Sequence, residues 1–253
     1  MKIWTLSDLH IDVNHADDLD LGPHPDCDVI IVAGDVCDGG YHDPAPWLLN
    51  EFSDDERAKL LFVAGNHEAY GQGLDLVPDY LTRLTDRTGI TILHRSVVEI
   101  GNQRFVGCPL WSDFSPRLDE HWGDKGDFAA VPDLTPDTWR AEHRRDRAWL
   151  EEVLEPGDVV VTHHAPSFEG LATAMQHNIQ KMMLSSGYYT DLEDFIIDRQ
   201  PALWLHGHTH VTREYAVGQT RVVTNGLGRG HNHAFDPGYV VEIDAYTPPP
   251  PGF

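Results

Sequence analysis

The segment ALWLHGHTHVTREY places imidazoles at three alternate positions, His206, His208 and His210, directly after an apolar run of strand length. Alternate side chains of an extended chain point the same way, and three buried imidazoles without partners would leave several ring nitrogens unsatisfied. A metal ion answers both conditions. Four further segments carry related chemistry: SDLH with Asp8 and His10, AGDVCD with Asp35 and Asp38, AGNHE with Asn66 and His67, and THHAP with His163 and His164. Asp8 and His10 are two apart and share a direction in an extended turn, whereas Asp35 and Asn66 each follow a glycine, where the backbone can turn closely around an ion. A carboxylate can bridge two cations, a neutral imidazole donates one nitrogen, and an amide oxygen ligates without adding charge. Such mixed oxygen and nitrogen ligands suit manganese, iron or zinc better than a thiolate-dependent centre. Asp8, His10, Asp35, Asn66, His163, His208 and His210 are too many for one small coordination sphere and could furnish two adjacent sites. Spacing alone does not choose His163 over His164.

Such residues must be brought together by strands that end at one edge. KIWTL at 2–6, DVIIVA at 28–33, KLLFVA at 59–64, DVVVT at 158–162 and ALWL at 202–205 have the length and branched content of buried strands, and each runs into a polar turn. In open α/β sheets ligands gather beyond the carboxyl ends of strands, so five separate clusters can form one site. The run at 91–111 reads as successive strands around Gly101-Asn102, and TRVVTNG and YVVEID at 220–226 and 239–244 add more sheet. Helices are expected at about 74–87, 172–184 and 191–199, and most clearly after Thr135, a capping residue followed by Pro136. In that last helix Trp139, Trp149, Leu150, Val153 and Leu154 contribute an apolar face that Pro156-Gly157 ends. Strands interleaved with helices predict an α/β core, and the hairpin-like middle and end argue against a simple parallel sheet.

The ordered series Asp8-Leu9-His10, Gly34-Asp35-Val36-Cys37-Asp38, Gly65-Asn66-His67-Glu68, His163 and Gly207-His208-Thr209-His210 resembles the motifs of the calcineurin-like metallophosphoesterase family. A lone DxH or GHxH would specify nothing; all five elements in order, after strand-like runs, specify a family. The resemblance implies a four-layer αββα sandwich with a dinuclear metal site at the sheet edge. It assigns Asp8, His10, Asp35 and His210 to one ion, with Asp35 bridging to a second held by Asn66, His163 and His208. It also implies that His67 approaches the phosphoryl group and that Asp38 orients it by a hydrogen bond. The expected reaction is hydrolysis of small phosphodiesters by attack of metal-bound hydroxide, without a phosphoenzyme. A phosphomonoesterase or nucleotide phosphatase uses the same chemistry, and a metal-binding scaffold without turnover is the alternative from another class.

Bulk properties narrow the partners. The chain of 253 residues suits one α/β domain with a proline-rich tail at 247–253. Its formal charge of -23 opposes a nonspecific nucleic-acid surface. No run of eighteen apolar residues is present, and MKIWTLSDLH enters a strand without a secretory leader, so a cytoplasmic protein acting on a small phosphate ester is expected. Cys27, Cys37 and Cys108 are odd in number and lack a CxxC pair, which excludes a cysteine-built zinc site. His164, His206, Arg229, His231 and His233 are left without roles. Glu68 reads as a cap or a support for the site, and Met175, Met182 and Met183 read as core packing. The segment 111–128 either overhangs the cleft, through Trp111, Phe114 and Trp122, or is a surface excursion.

Overall fold

A computed structural model describes residues 1–14, 19–114, 126–176, 185–230 and 232–244. Two sheets form. The first contains β1 (Lys2–Leu6), β2 (Val29–Ala33), β3 (Leu60–Val63), β4 (Thr91–Ile92) and β11 (Val240–Glu242), in the order β11-β1-β2-β3-β4. The second contains β5 (Ser96–Ile100), β6 (Gln103–Cys108), β7 (Val159–Thr162), β8 (Leu203–His206), β9 (Thr212–Val217) and β10 (Thr220–Asn225), in the order β5-β6-β7-β8-β10-β9. The inner strands are parallel, while β11, β5 and β9 run antiparallel at the edges.

Because strand side chains alternate, each central strand serves two cores. Ile3, Val29, Ile31 and Val63 of the first sheet pack against Phe105, Val161, Leu205 and Val223 of the second. On the outer face of the first sheet, Trp4, Ile30, Val32 and Phe62 meet Trp47 and Leu48 of the helix Ala45–Glu51 and Leu81 and Leu84 of the helix Val77–Thr88. On the outer face of the second, Val106, Val160, Trp204 and Val222 meet Leu150 of the helix Pro136–Val153 and Ile196 of the helix Glu193–Arg199. Helix, sheet, sheet and helix are therefore stacked as expected. Among the described residues, no helix is long and apolar enough to cross a membrane.

The differences from the sequence reading have local causes. The helix Ala45–Glu51, not among the expected helices, follows Pro44 and includes Pro46, whose fixed φ suits a first helical turn. Strand β9 has an alternating half-exposed pattern and owes its existence to pairing with β10. Thr91–Ile92 belongs to the first sheet, whereas the hairpin around Gly101-Asn102 joins the second. In the helix Pro136–Val153, Thr135 and Thr138 cap each other reciprocally. Its buried face is less apolar than expected: His143 and Asp146 are buried with Trp139 and Leu150, while Trp149 and Val153 are only partly so. Asp146 is retained there because its carboxylate accepts from Leu110 N–H at 2.7 Å and from Arg95 at 2.5 Å. The helix expected at 172–184 is seen over Thr173–Gln176. The Met175 side chain, Met182, Met183, Trp122, His231 and the tail at 247–253 lie outside the described part of the chain.

The parallel strands β1, β2, β3, β7, β8 and β10 release their loops along one edge. There the two sheets are tied together: Ser7 bridges Gly226, and Asn225 donates from Nδ2 to Thr5 O at 3.0 Å.

Candidate metal centre

Each cluster follows a strand end. Asp8 and His10 come after β1, Asp35 after β2, Asn66 and His67 after β3, His163 after β7, and His208 and His210 after β8. The turns are not extended, as the spacing suggested. Asp8, His10, Asp35, His208 and His210 all have positive φ, between 42° and 66°, in the left-handed region that side chains other than glycine seldom enter. Backbone bonds hold the conformation: Asp8 N–H donates to Gly34 O, and His10 N–H to Asp35 O. Gly34, with φ of 88°, and Gly65 allow the β2 and β3 loops to touch. A Cβ on Gly34 would strike His163 Nδ1 and lie 2.7 Å from Gly65 N, and one on Gly65 would overlap Asp35 Oδ1.

Two groups of donors result. Asp8, His10, Asp35 and His210 offer ligand atoms within 4.8 Å of one another, as do Asp35, His163 and His208. Asp35 belongs to both. Among the described residues its Oδ2 is buried without a hydrogen-bond partner, yet three imidazole Nε2 atoms surround it, His163 at 3.2 Å, His67 at 3.8 Å and His10 at 3.9 Å. Asn66 adds its Oδ1, 3.0 Å from His163 Nε2. One shared carboxylate oxygen facing several imidazole nitrogens and an amide oxygen is a donor set that suits cations, so these residues fit two ions.

The donors are held in ligating form. His163 Nδ1 donates to Ala33 O at 2.7 Å, which directs the Nε2 lone pair toward Asp35. Asp8 Oδ2 accepts from Ser7 Oγ at 2.6 Å and Oδ1 from His208 N–H at 2.8 Å. Burial drives His10 down to about 3 and His208 well below the usual histidine range, so both imidazoles are neutral at pH 7. Burial alone would raise the Asp35 carboxyl; His163, His67 and His10 outweigh it and hold that group well below the usual carboxylate range. The reciprocal field lifts His163 to about 9 against its own burial, so a cation binding beside Asp35 displaces a proton.

His67 lies beside these groups with its Nδ1 bonded to Asp38 Oδ1 at 2.6 Å, its ring stacked on Tyr70 at 4.0 Å, and its Nε2 3.5 Å from the Arg229 guanidinium. Burial pushes the imidazole down, but Asp35 and Asp38 raise it to about 9. Arg229 reaches the site from the loop after β10, which Asn14 pins by donating to Gly228 O at 2.7 Å.

The other histidines separate. His206 does not share the direction of His208 and His210: it ends β8, bonds Gly207 O through Nδ1 and packs toward Gly170 and Tyr215. His164 is fully buried, stacked on Trp111 at 5.3 Å and close to His208 at 4.2 Å, and among the described residues neither ring nitrogen has a hydrogen-bond partner. Of the two neighbours, His163 is the one that joins the candidate cluster, its ring turned by the bond to Ala33 O. His233 is exposed in a turn and does not line the cleft.

Two residues support these loops: Glu68, expected as a cap or a support, and Asp127, which the sequence did not single out. Glu68 is fully buried and accepts the N–H groups of Asp35 at 3.0 Å, Val36 at 2.9 Å and Gly65 at 2.6 Å, thereby fastening the β2 loop to the β3 loop. Glu68→Ala leaves three buried donors unpaired at about 1–3 kcal/mol each. It is expected to destabilise the protein by about 3 kcal/mol or more in urea unfolding, and a change below about 0.5 kcal/mol would show that water replaces the carboxylate. Asp127 accepts Asn66 Nδ2 at 2.6 Å and Tyr70 O–H at 2.7 Å, which turns the Asn66 amide so that its oxygen faces the ligand cluster. No motif announces Asp127, which lies 61 residues from Asn66. A cavity of about 250 Å³ opens over the centre, lined among others by Asp35, His67, Phe114, Asp127, Phe128 and Arg229. Phe114 and Phe128 thus line the cleft, while Trp111 lines a second cavity.

The calcineurin-like phosphoesterase family model matches residues 1–212. The chain belongs to this family. It is a metal-dependent phosphoric ester hydrolase. A relative, the uncharacterised protein L509 of Acanthamoeba polyphaga mimivirus, is 26% identical over 210 residues, covering 74% of each chain. A phosphopantetheinyl hydrolase of Mycobacterium tuberculosis shares the fold with a TM-score of 0.69 at 20% identity, over 90% of this chain and 89% of that one.

Proposed function

We propose that this phosphoesterase hydrolyses small phosphodiesters, with Asp8, His10, Asp35 and His210 holding one ion and Asp35, Asn66, His163 and His208 a second. Two such ions supply Lewis acidity toward the non-bridging oxygens and a nucleophilic water at neutral pH. The protein's own residues do the rest. Asp38 fixes the His67 ring so that Nε2 faces the cleft and can give a proton to the leaving oxygen, and Arg229 stands where a phosphoryl oxygen would meet its donors. One observation favours diesters over monoesters: among the described residues, Arg229 is the single Lys or Arg lining the cavity, set against Asp35 and Asp127. A monoanionic diester needs less compensating charge there than a dianionic monoester. The limited cavity and the charge of -23 also favour a small substrate over nucleic acid.

Manganese, iron or zinc and a cytoplasmic setting belong to the same reading, which the three buried free thiols Cys27, Cys37 and Cys108 support. Protein purified without chelator and reconstituted is expected to bind two transition-metal ions per chain and to hydrolyse bis(p-nitrophenyl) phosphate with higher kcat/KM than p-nitrophenyl phosphate. Full activity at one ion per chain would refute the two-ion assignment; a preference for the monoester would move the assignment to a phosphatase.

A further inference from the structure

The cavity has a wall that phosphoryl chemistry does not use. Phe114, Phe128 and Trp139 meet ring to ring at centroid distances of 5.3, 5.4 and 5.4 Å, and all three line the cavity. The Trp139 indole N–H is already given to Ser112 Oγ at 3.0 Å, so it adds only carbon to this wall. Nearer the ligand cluster, Tyr70 stacks on His67 and Tyr188 lies 4.9 Å from the His208 ring, and both face the same space. Asp127 sits among these rings. Its Oδ1 takes both the Asn66 and Tyr70 donors, and among the described residues its Oδ2 accepts no hydrogen bond.

We infer that this wall binds the leaving group, and that the leaving group carries an aromatic ring bearing an N–H or O–H donor. The inference rests on the phosphodiesterase reading: water adds to phosphorus, the P–O bond to the ring-bearing alcohol breaks, and that alcohol departs with a proton. Aromatic rings gain from edge-to-face and offset contact with other rings beyond the area they bury, and a saturated group of equal size does not share that gain. A carboxylate is an acceptor only, so Asp127 selects a donor on the ring and disfavours a second phosphate at this position.

The test uses metal-reconstituted full-length enzyme with methyl benzyl phosphate, methyl aminobenzyl phosphate and methyl cyclohexylmethyl phosphate, whose ring-bearing leaving oxygens are all primary alcohols. The kcat/KM for release of that alcohol is expected to be about three- to tenfold higher for benzyl than for cyclohexylmethyl. The amino group is expected to raise it further. Phe128→Leu is expected to bring the benzyl to cyclohexylmethyl ratio toward one, and Asp127→Ala to remove the gain from the amino group. Each ratio is taken within one variant, so a change in metal content cancels. Equal kcat/KM for benzyl and cyclohexylmethyl in the unaltered enzyme overturns the inference. Benzylphosphonate and cyclohexylmethylphosphonate, which lack the scissile bond, provide an arm that does not require turnover. If no ester reacts, the phosphodiesterase reading fails. The calorimetric comparison then still decides the wall: tighter benzylphosphonate binding to the metal-loaded protein supports it, and equal binding overturns it.

Discussion

Asp35→Asn is expected to lower metal content at both positions and to reduce phosphoesterase turnover by at least ~10³-fold, since two-ion catalysis supplies several kcal/mol of transition-state stabilisation. The reason lies in one oxygen. Among the described residues Asp35 Oδ2 has no hydrogen-bond donor of its own, and Asp35 belongs to both groups of candidate ligands. Asparagine keeps the size but removes the charge, and it presents either a neutral oxygen or an N–H2 group to three imidazole nitrogens. Its other oxygen matters less to this outcome, because Asp35 Oδ1 is engaged by His67 N–H at 3.0 Å and an amide oxygen can preserve that bond. Elemental analysis beside a denaturant titration separates the two kinds of damage. Loss of both ions with little change in the unfolding midpoint is the expected pattern, and retention of two ions would remove Asp35 from the bridge.

The clustering of the candidate ligands was legible because each follows a strand end, and parallel strands deliver their loops to one edge whatever the intervening chain does. Its geometry was legible only in part. Asp8 and His10, and likewise His208 and His210, reach the candidate clusters through left-handed turns, so the residues that the alternation singled out come together through a conformation other than the extended one. The same assumption failed for His206, which is still in β8 and takes the direction that the strand dictates. Choosing His163 over His164 required knowing that Ala33 O lies beside one ring and Trp111 beside the other. The role of Asp127, and the particular partners of Glu68, were hidden for a related reason. The two residues act on backbone N–H groups and on an amide that only the tertiary fold brings within reach, and no local pattern encodes such contacts. In the fold, buried strands were readable from apolar runs; β9 was not, because its pattern is half-exposed and its pairing with β10 is what creates it.

His67→Ala is expected to retain most bound metal while lowering kcat by ~10²- to 10⁴-fold, the range of positioned acid catalysis. Its Nε2 lies 3.8 Å from Asp35 Oδ2, close to the candidate ligands, yet its Nδ1 is occupied by Asp38 and its ring is clamped between Tyr70 and His10. The side chain is therefore fixed at the cleft by contacts independent of any ion. Asp38→Asn should cost less, because the ring keeps its stacking on Tyr70 and loses only the anionic acceptor that orients it and favours its protonated form. Leaving-group dependence distinguishes proton donation from charge stabilisation alone. If Nε2–H protonates the departing oxygen, the loss in His67→Ala must be larger for an alkyl ester than for a p-nitrophenyl ester, whose anion departs without help. Equal losses on the two substrates would instead assign His67, together with Arg229 at 3.5 Å, to holding the phosphoryl group.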